Sequence, residues 1–413
     1  MNGFANVGRA FANRNYRIYA TGNAISLTGT WLQRVAVGWL AWQLTRSGTW
    51  LGLVSFADLF PTVLLSPWAG ALADRRDRVR VIWATQIIAM LQAALLALLT
   101  ALQLLGILGL FALAAALGMA NAVNQPARLA LIPSLVTRAD LPAAVAINSI
   151  IFNGARFVGP MVFGLVIAGG DVALAFALNA LSYVAFVVAL ARLDLPGGEG
   201  RAMRPRMLRA VAEGYLYAAR HTGIGSILLL MAVTSLGTRG FIEMLPGFAD
   251  QVFGRGPEAL GMMTATVGFG AICGGFWMVR RGGVEGLTGI VFANTLLMAA
   301  ALLGFTATTR FAVALPCLFL AGFGLVVSGI GAQTLVQSAV DAAMRGRVLA
   351  LYGMIFRAGP ALGALVTGTL SSAFGLRLPV AAGAMLCALY WLWARLRQSA
   401  VARELEAVPE SAE

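Results

Sequence analysis

The chain has 413 residues, 59% of them hydrophobic and only 11% charged, with a formal net charge of +13. So much apolar surface has no polar shell to cover it, which excludes water as the main solvent and puts lipid in its place. All thirty basic residues are arginine, so a Gly-x-x-x-x-Gly-Lys phosphate loop cannot occur and ATP-driven work by this chain is excluded.

A hydrocarbon core about 30 Å thick takes roughly 20 apolar residues per helix. Apolar stretches fall at 17–44, 51–73, 79–105, 108–131, 142–168, 172–192, 223–250, 258–279, 286–307, 311–338, 347–371 and 376–396. They predict an all-α membrane protein of twelve transmembrane helices. Arg9, Arg14 and Arg17 precede the first stretch, which lacks a small-residue cleavage site, so this helix is expected to be retained.

The arginines sit in the gaps between apolar runs, which argues against a nucleic-acid partner. The N-terminus, the even-numbered connections and the C-terminal tail hold 22 of them, against four on the other side, Arg46, Arg255, Arg310 and Arg377. The positive-inside rule then predicts cytoplasmic termini in an inner (plasma) membrane.

The longest polar connection, from Leu193 to Thr222, carries Pro196, Gly197 and Gly198 as breakers. Its second part, Met207 to Arg220, can lie on the leaflet as an amphipathic helix. The expected organisation is a six-helix bundle at 1–192, a linker at 193–222, a second six-helix bundle at 223–397 and a tail at 398–413. At an offset of 204, Phe152, Gly159 and Gly164 match Phe356, Gly363 and Gly368, and Leu51-Gly52 opens the second span as Leu260-Gly261 opens the eighth. The agreement of these matches with the division into six and six supports a duplicated fold.

Cys273, Cys317 and Cys387 lie in apolar runs without a Cys-x-x-Cys, and His221 is the single histidine. No disulfide, metal or cofactor is expected, and without a cluster of His, Cys or carboxylate groups no enzyme is expected either.

Four arginines fall inside spans: Arg34, Arg156, Arg239 and Arg357, in the first, fifth, seventh and eleventh. A guanidinium at mid-bilayer is costly unless it meets water, a ligand or a counter-charge. The acids inside are fewer, Asp58 and Glu243, with Asp250 near a span end. Arg239 and Glu243 are four apart, which predicts a pair on one helix face. Glu243 and Asp58 are rival proton carriers at this stage. Trp31, Trp39, Trp42 and Trp50 are able to stack a ring-bearing solute, but their spread toward one end fits an interfacial aromatic belt better.

Gly70-Ala-Leu-Ala-Asp74-Arg75-Arg76-Asp77-Arg78-Val-Arg80 follows the second span. It resembles the Gly-x-Leu-x-Asp-Arg-x-Gly-Arg-Arg signature of the major facilitator superfamily, with Asp77 where the family has Gly. Gly154-Ala-Arg156-Phe-Val-Gly159-Pro160-Met-Val-Phe-Gly164 is similar to the Gly-Pro motif of exporters in that superfamily. The stretch Ile132 to Leu141, Ala146-Ile147-Asn148-Ser149 and Arg345-Gly346-Arg347-Val348 resemble the enterobactin-exporter branch, which includes siderophore and macrolide efflux proteins.

The resemblance implies two pseudo-symmetric six-helix bundles and an alternating-access carrier, with Gly70, Asp74, Arg75, Arg78 and Arg345 as a latch and Arg128, Arg156, Gly159, Pro160 and Arg357 as gate or packing residues. It also implies that spans one, four, seven and ten line a cavity. Gln33, Arg34, Asn121, Asn124, Gln125, Arg239, Glu243, Gln333 and Gln337 are then its candidate lining. The expectation is a monomeric, proton-coupled exporter of a small, negatively charged organic solute such as a siderophore, or of a drug. The alternatives are an uptake or lipid-handling carrier of the same fold and a non-transporting receptor.

Overall fold

The computed structural model describes residues 11–75, 77–169, 171–194, 207–341 and 344–406, which are almost entirely helical. In chain order the helices are α1 (Arg14–Thr45), α2 (Gly48–Arg75), α3 (Arg78–Ala101), α4 (Ile107–Leu135), α5 (Leu141–Gly169), α6 (Val172–Ala191), α7 (Met207–Arg220), α8 (Thr222–Gly237), α9 (Phe241–Gly247), α10 (Pro257–Arg281), α11 (Leu287–Ala307), α12 (Phe311–Ala339), α13 (Arg345–Phe374), α14 (Arg377–Arg395) and α15 (Gln398–Glu406). Among the described residues, eleven helical segments are long and apolar enough to cross a bilayer, α8 and α9 together forming one of them. The twelfth is α1, whose 32 residues suffice in length but include Asn23, Ser26, Thr28, Thr30, Gln33 and Arg34.

Capping explains several boundaries. The Asn13 side chain accepts from the N–H groups of Asn15 and Tyr16 and starts α1. Asp77 accepts from Val79 N at 2.8 Å and Arg80 N at 3.2 Å and starts α3. The acid that departs from the superfamily signature is therefore a helix cap.

The seventh span is not the single helix that its apolar run predicts. It breaks at Thr238–Gly240, resumes as α9 and ends in a π-helical turn, Phe248–Val252. Glycines 237 and 240 flank the break, and the Thr238 hydroxyl turns back to the Thr234 carbonyl at 2.7 Å. Pro246 lacks the N–H that would bond the Ile242 carbonyl, which weakens the last turn of α9 just before the π turn.

Two compact units result: Met1–Arg46, Ala57–Pro205 with Arg255–Ala265, and Ser47–Phe56, Arg206–Gly254 with Thr266–Glu413. A single cut in the linker does not reproduce them, because 47–56 and 255–265 group away from their sequence neighbours. In the first unit Tyr16, Tyr19, Ile82, Leu131 and Phe186 share one core, and the Tyr16 hydroxyl donates to the Ala144 carbonyl at 2.8 Å. In the second, Ile227, Phe292, Leu335 and Leu351 share another.

The tail at 398–413 contains more structure than expected. Val401 and Leu405 of α15 are buried in the second unit. Glu404 accepts from the Gly223 N–H at 2.8 Å, while Glu406 accepts from Gly286 and Thr288 at 2.6 and 2.7 Å. Two carboxylates thus satisfy exposed amides at the starts of α8 and α11, where the helix dipole favours negative charge.

Candidate functional site

In the first unit the charged centre is built on α1. The Arg34 Nη1 lies 4.0 Å from Asp58 Oδ2 of α2, with 30% and 22% of the two side chains exposed. One turn earlier, the Trp31 ring has the guanidinium carbons of Arg34 and Arg156 both at 5.5 Å from its centroid. Phe152 meets the same indole edge-on at 6.0 Å. Gly159 lets α5 come this close, since a Cβ there would stand 2.6 Å from the Trp31 Cβ. Two cations and two aromatic rings therefore converge on a half-buried patch, a surface suited to a ring-bearing anion.

The belt reading of the tryptophans is corrected here. Trp39 and Trp42 are buried at 5% and 1% exposure, and Trp31 belongs to the charged cluster. The i, i+3 spacing of Trp31 and Arg34 was a usable signal, as helical neighbours share a face.

In the second unit Arg239 stands in the break between α8 and α9, its guanidinium 4.3 Å from the Phe356 ring centroid. Tyr352 stacks on Phe356 at 6.1 Å and 18°, and its hydroxyl donates to the Gly329 carbonyl at 3.0 Å. A small cavity between Arg239, Thr234, Thr238, Met298 and Ser328 adjoins them. The expected Arg239–Glu243 pair does not form among the described residues. The interruption at Thr238–Gly240 removes the i, i+4 register, and Glu243 instead accepts from Ser55 Oγ at 2.9 Å.

The amide candidates divide into two groups. Gln33 is 1% exposed, accepts from Asn179 Nδ2 at 2.8 Å and donates to Gln92 Oε1 at 3.0 Å. Asn124 is 4% exposed and donates to Thr85 Oγ1 at 2.6 Å. Both amides are buried and engaged between helices, which sets them apart from the exposed candidates for the lining. Gln125, Gln333 and Gln337 are exposed and Asn121 half-buried, all within membrane-crossing helices, Gln337 in the last turn of α12. Hydrocarbon cannot satisfy an amide there, so these faces fit a wetted surface.

Of the gate and latch candidates, Arg78 donates to the Ala130 carbonyl at 3.0 Å, tying α3 to α4. Arg128 lies 4.6 Å over the Phe186 ring, its Nε and Nη2 buried without a hydrogen-bond partner among the described residues. Gly159 and Pro160 are buried in α5, Arg345 is exposed at the start of α13, and Arg357 is half-buried within it. The side chains of Gly70, Asp74 and Arg75 lie outside the described residues. Phe152, Ser55, Tyr352 and Phe356 complete the two clusters and are not read as site residues from the sequence, while Trp31 is considered there for ring stacking but set with the belt.

The family model for transmembrane secretion effectors matches residues 8–410. The chain belongs to this family of the major facilitator superfamily. The staphyloferrin A transporter of Staphylococcus aureus is 25% identical over 84% of the chain and 87% of the relative. The enterobactin exporter of Escherichia coli is 28% identical over 80% and 77%, and macrolide efflux protein A of Streptococcus pyogenes 21% over 87% and 90%. A bacterial homologue of the lysosomal transporter Spinster superposes with TM-score 0.75 at 15% identity, covering 96% of this chain and 99% of that one. A bacterial homologue of ferroportin gives 0.67 at 17%, covering 92% and 98%. The protein is a multi-pass membrane transporter with the twelve-helix major facilitator fold, a secondary carrier.

Proposed function

We propose that this transporter exports a small, ring-bearing organic anion from the cytoplasm by alternating access, acting as a monomer in the inner membrane with both termini cytoplasmic. The observation that carries the reading is Trp31 flanked by Arg34 and Arg156, with Phe152 on its edge. An indole with two guanidinium groups 5.5 Å from its centroid offers contacts to an aromatic ring and to its acidic substituents together. Catecholate or carboxylate siderophores have this chemistry, and relatives named for enterobactin and staphyloferrin A export or transport agree with it.

Export suits an anion energetically. With the interior negative, each charge leaving the cell gains about 2.3 kcal/mol per 100 mV. The membrane potential is then the driving force, and Asp58, paired with Arg34 at 4.0 Å, sets how tightly the anion is held there.

Inverted membrane vesicles test the assignment with an aromatic carboxylate, a catecholate and a permanent organic cation of similar size. Accumulation of the anions, lost with Arg34→Ala and Trp31→Ala, is the expected result. Transport of the cation with both variants active would overturn it, and anion loss from preloaded inverted vesicles without accumulation would assign uptake instead.

A further inference from the structure

A second cationic groove lies in the second unit, away from the clusters described above. It has a volume of about 600 Å³ and is lined by Leu216, Tyr217, Arg220, His221, Asp341, Met344 and Arg347, with His221 3.1 Å from the Glu404 carboxylate. Three of its features are independent of one another.

The first is depth. Membrane-crossing segments begin at Thr222 and Arg345, and another ends at Ala339. The groove residues Leu216, Tyr217, Arg220, His221, Asp341, Met344 and Arg347 all fall at these ends, which places the groove at the level of phospholipid phosphates.

The second is the helix beside it. Tyr215 and Leu216 on α7 are 66% and 52% exposed in a segment that the hydrophobic periodicity marks as amphipathic. Such a helix lies in the interface with its apolar groups among acyl chains. The Gly214 Cα sits against the Arg347 backbone, where a Cβ would come within 2.7 Å of the carbonyl oxygen. That contact fixes α7 to the start of α13 and holds the groove's two sides together.

The third is the charge arrangement. The one carboxylate in the lining among the described residues, Asp341, accepts the Tyr217 hydroxyl at 2.9 Å. Burial, and then the bond to Asp341, push the Tyr217 phenol above its ordinary value, so it stays protonated and keeps that carboxylate occupied. Arg347 is exposed at the start of α13, with Nη1 3.2 Å from the Met344 sulfur. Arg220 extends from the C-terminal turn of α7.

We propose that this groove binds the headgroup phosphate of an anionic phospholipid, held by Arg220 and Arg347, with an acyl chain along Leu216 and Met344. The acidic lipid then fastens α7 to the start of α13 at the membrane surface. Phosphate alone shares the charge but has nothing to lay along the apolar wall. That difference separates a lipid site from a soluble-anion site.

Native mass spectrometry of the full-length transporter, with phosphatidylglycerol and phosphatidylcholine of matched chains added in competition, reads the preference directly. Two basic groups near the surface give roughly a 30-fold preference for phosphatidylglycerol. Arg220→Gln with Arg347→Gln is expected to bring the ratio close to one, and the corresponding Lys pair to retain most of it. Arg310→Gln, at the start of α12, is expected to leave it unchanged. Should the double Gln variant fail to fold, the two single variants each lowering the ratio several-fold carry the same test. An unchanged preference in the Gln variants overturns the proposal. So does displacement of phosphatidylglycerol by millimolar inorganic phosphate, which would make the groove a soluble-anion site.

Discussion

Gly52 and Gly368 meet backbone to backbone where the first turns of α2 cross α13, and a Cβ at Gly368 would lie 2.9 Å from the Gly52 Cα. Gly261 and Gly164 repeat the crossing between α10 and α5, with the same 2.9 Å from an added Cβ at Gly261 to the Gly164 Cα. These are the glycines that correspond under the internal repeat, so the duplicated sequence has produced two equivalent contacts. Small residues give membrane helices the close approach from which their packing energy comes.

Gly368→Val is expected to lower stability by roughly 1–3 kcal/mol, the usual range for overpacking, and Gly261→Val by a similar amount, since each added Cβ would come within 2.9 Å of the facing backbone. Thermal unfolding in detergent measures both. Gly346→Val, at a glycine with nothing within 4 Å of an added Cβ, is the comparison and should fall within about 0.5 kcal/mol of the parent.

Gln33 separates a structural from a ligand-binding role. Its amide is used on both sides, by Asn179 and by Gln92. Interhelical hydrogen bonds in membrane proteins contribute about 0.6 kcal/mol each, up to roughly 1.7. Gln33→Leu should therefore lower the melting temperature while leaving anion affinity within about twofold. A loss of affinity of tenfold or more without a change in melting would return Gln33 to the binding surface.

The fold was readable because its signals repeat along the chain: apolar runs of membrane length, arginines in alternate gaps and glycines at a fixed offset. The charged interior was readable in composition, since Arg34, Asp58, Arg239 and Glu243 stand out in apolar runs. Their pairing was not. Pairing Arg239 with Glu243 assumed an unbroken helix, and the break at Thr238–Gly240 depends on packing that spacing does not encode. Burial was equally hidden: Gln33 and Gln333 are the same residue type in similar runs, yet one is locked between helices and the other exposed. The tail illustrates the same limit, because Glu404 and Glu406 find their roles only when the starts of α8 and α11 come near.

That tail supports another expectation. Glu406 accepts from two backbone amides at the start of α11, and Leu405 is 1% exposed beside it. Losing a helix cap typically costs about 1 kcal/mol, and emptying a buried Leu position about 2–5 kcal/mol. Glu406→Ala should thus lower the melting temperature modestly and Leu405→Ala more. An unchanged melting temperature for both would show that α15 does not brace the second unit.

The pH dependence of anion binding follows from Arg34 and Asp58. At 4.0 Å the Asp58 carboxylate competes with an arriving anion for the same guanidinium. Protonating Asp58 removes that competitor, so anion and proton favour each other's binding, and by linkage the effect is reciprocal. Affinity for an aromatic carboxylate should be highest below the titration of Asp58 and fall as pH rises through it. Asp58→Asn fixes the neutral form: binding should be tight and flat with pH. Glu243→Gln should keep the slope, because Glu243 is bonded to Ser55 instead. Arg34→Ala should weaken binding about 10- to 100-fold, the worth of a hydrogen bond to a charged group, and abolish the dependence. Calorimetric titration of the four proteins across pH measures each outcome. Affinity that rises with pH in the parent, or a slope surviving in Asp58→Asn, would place the titrating group elsewhere.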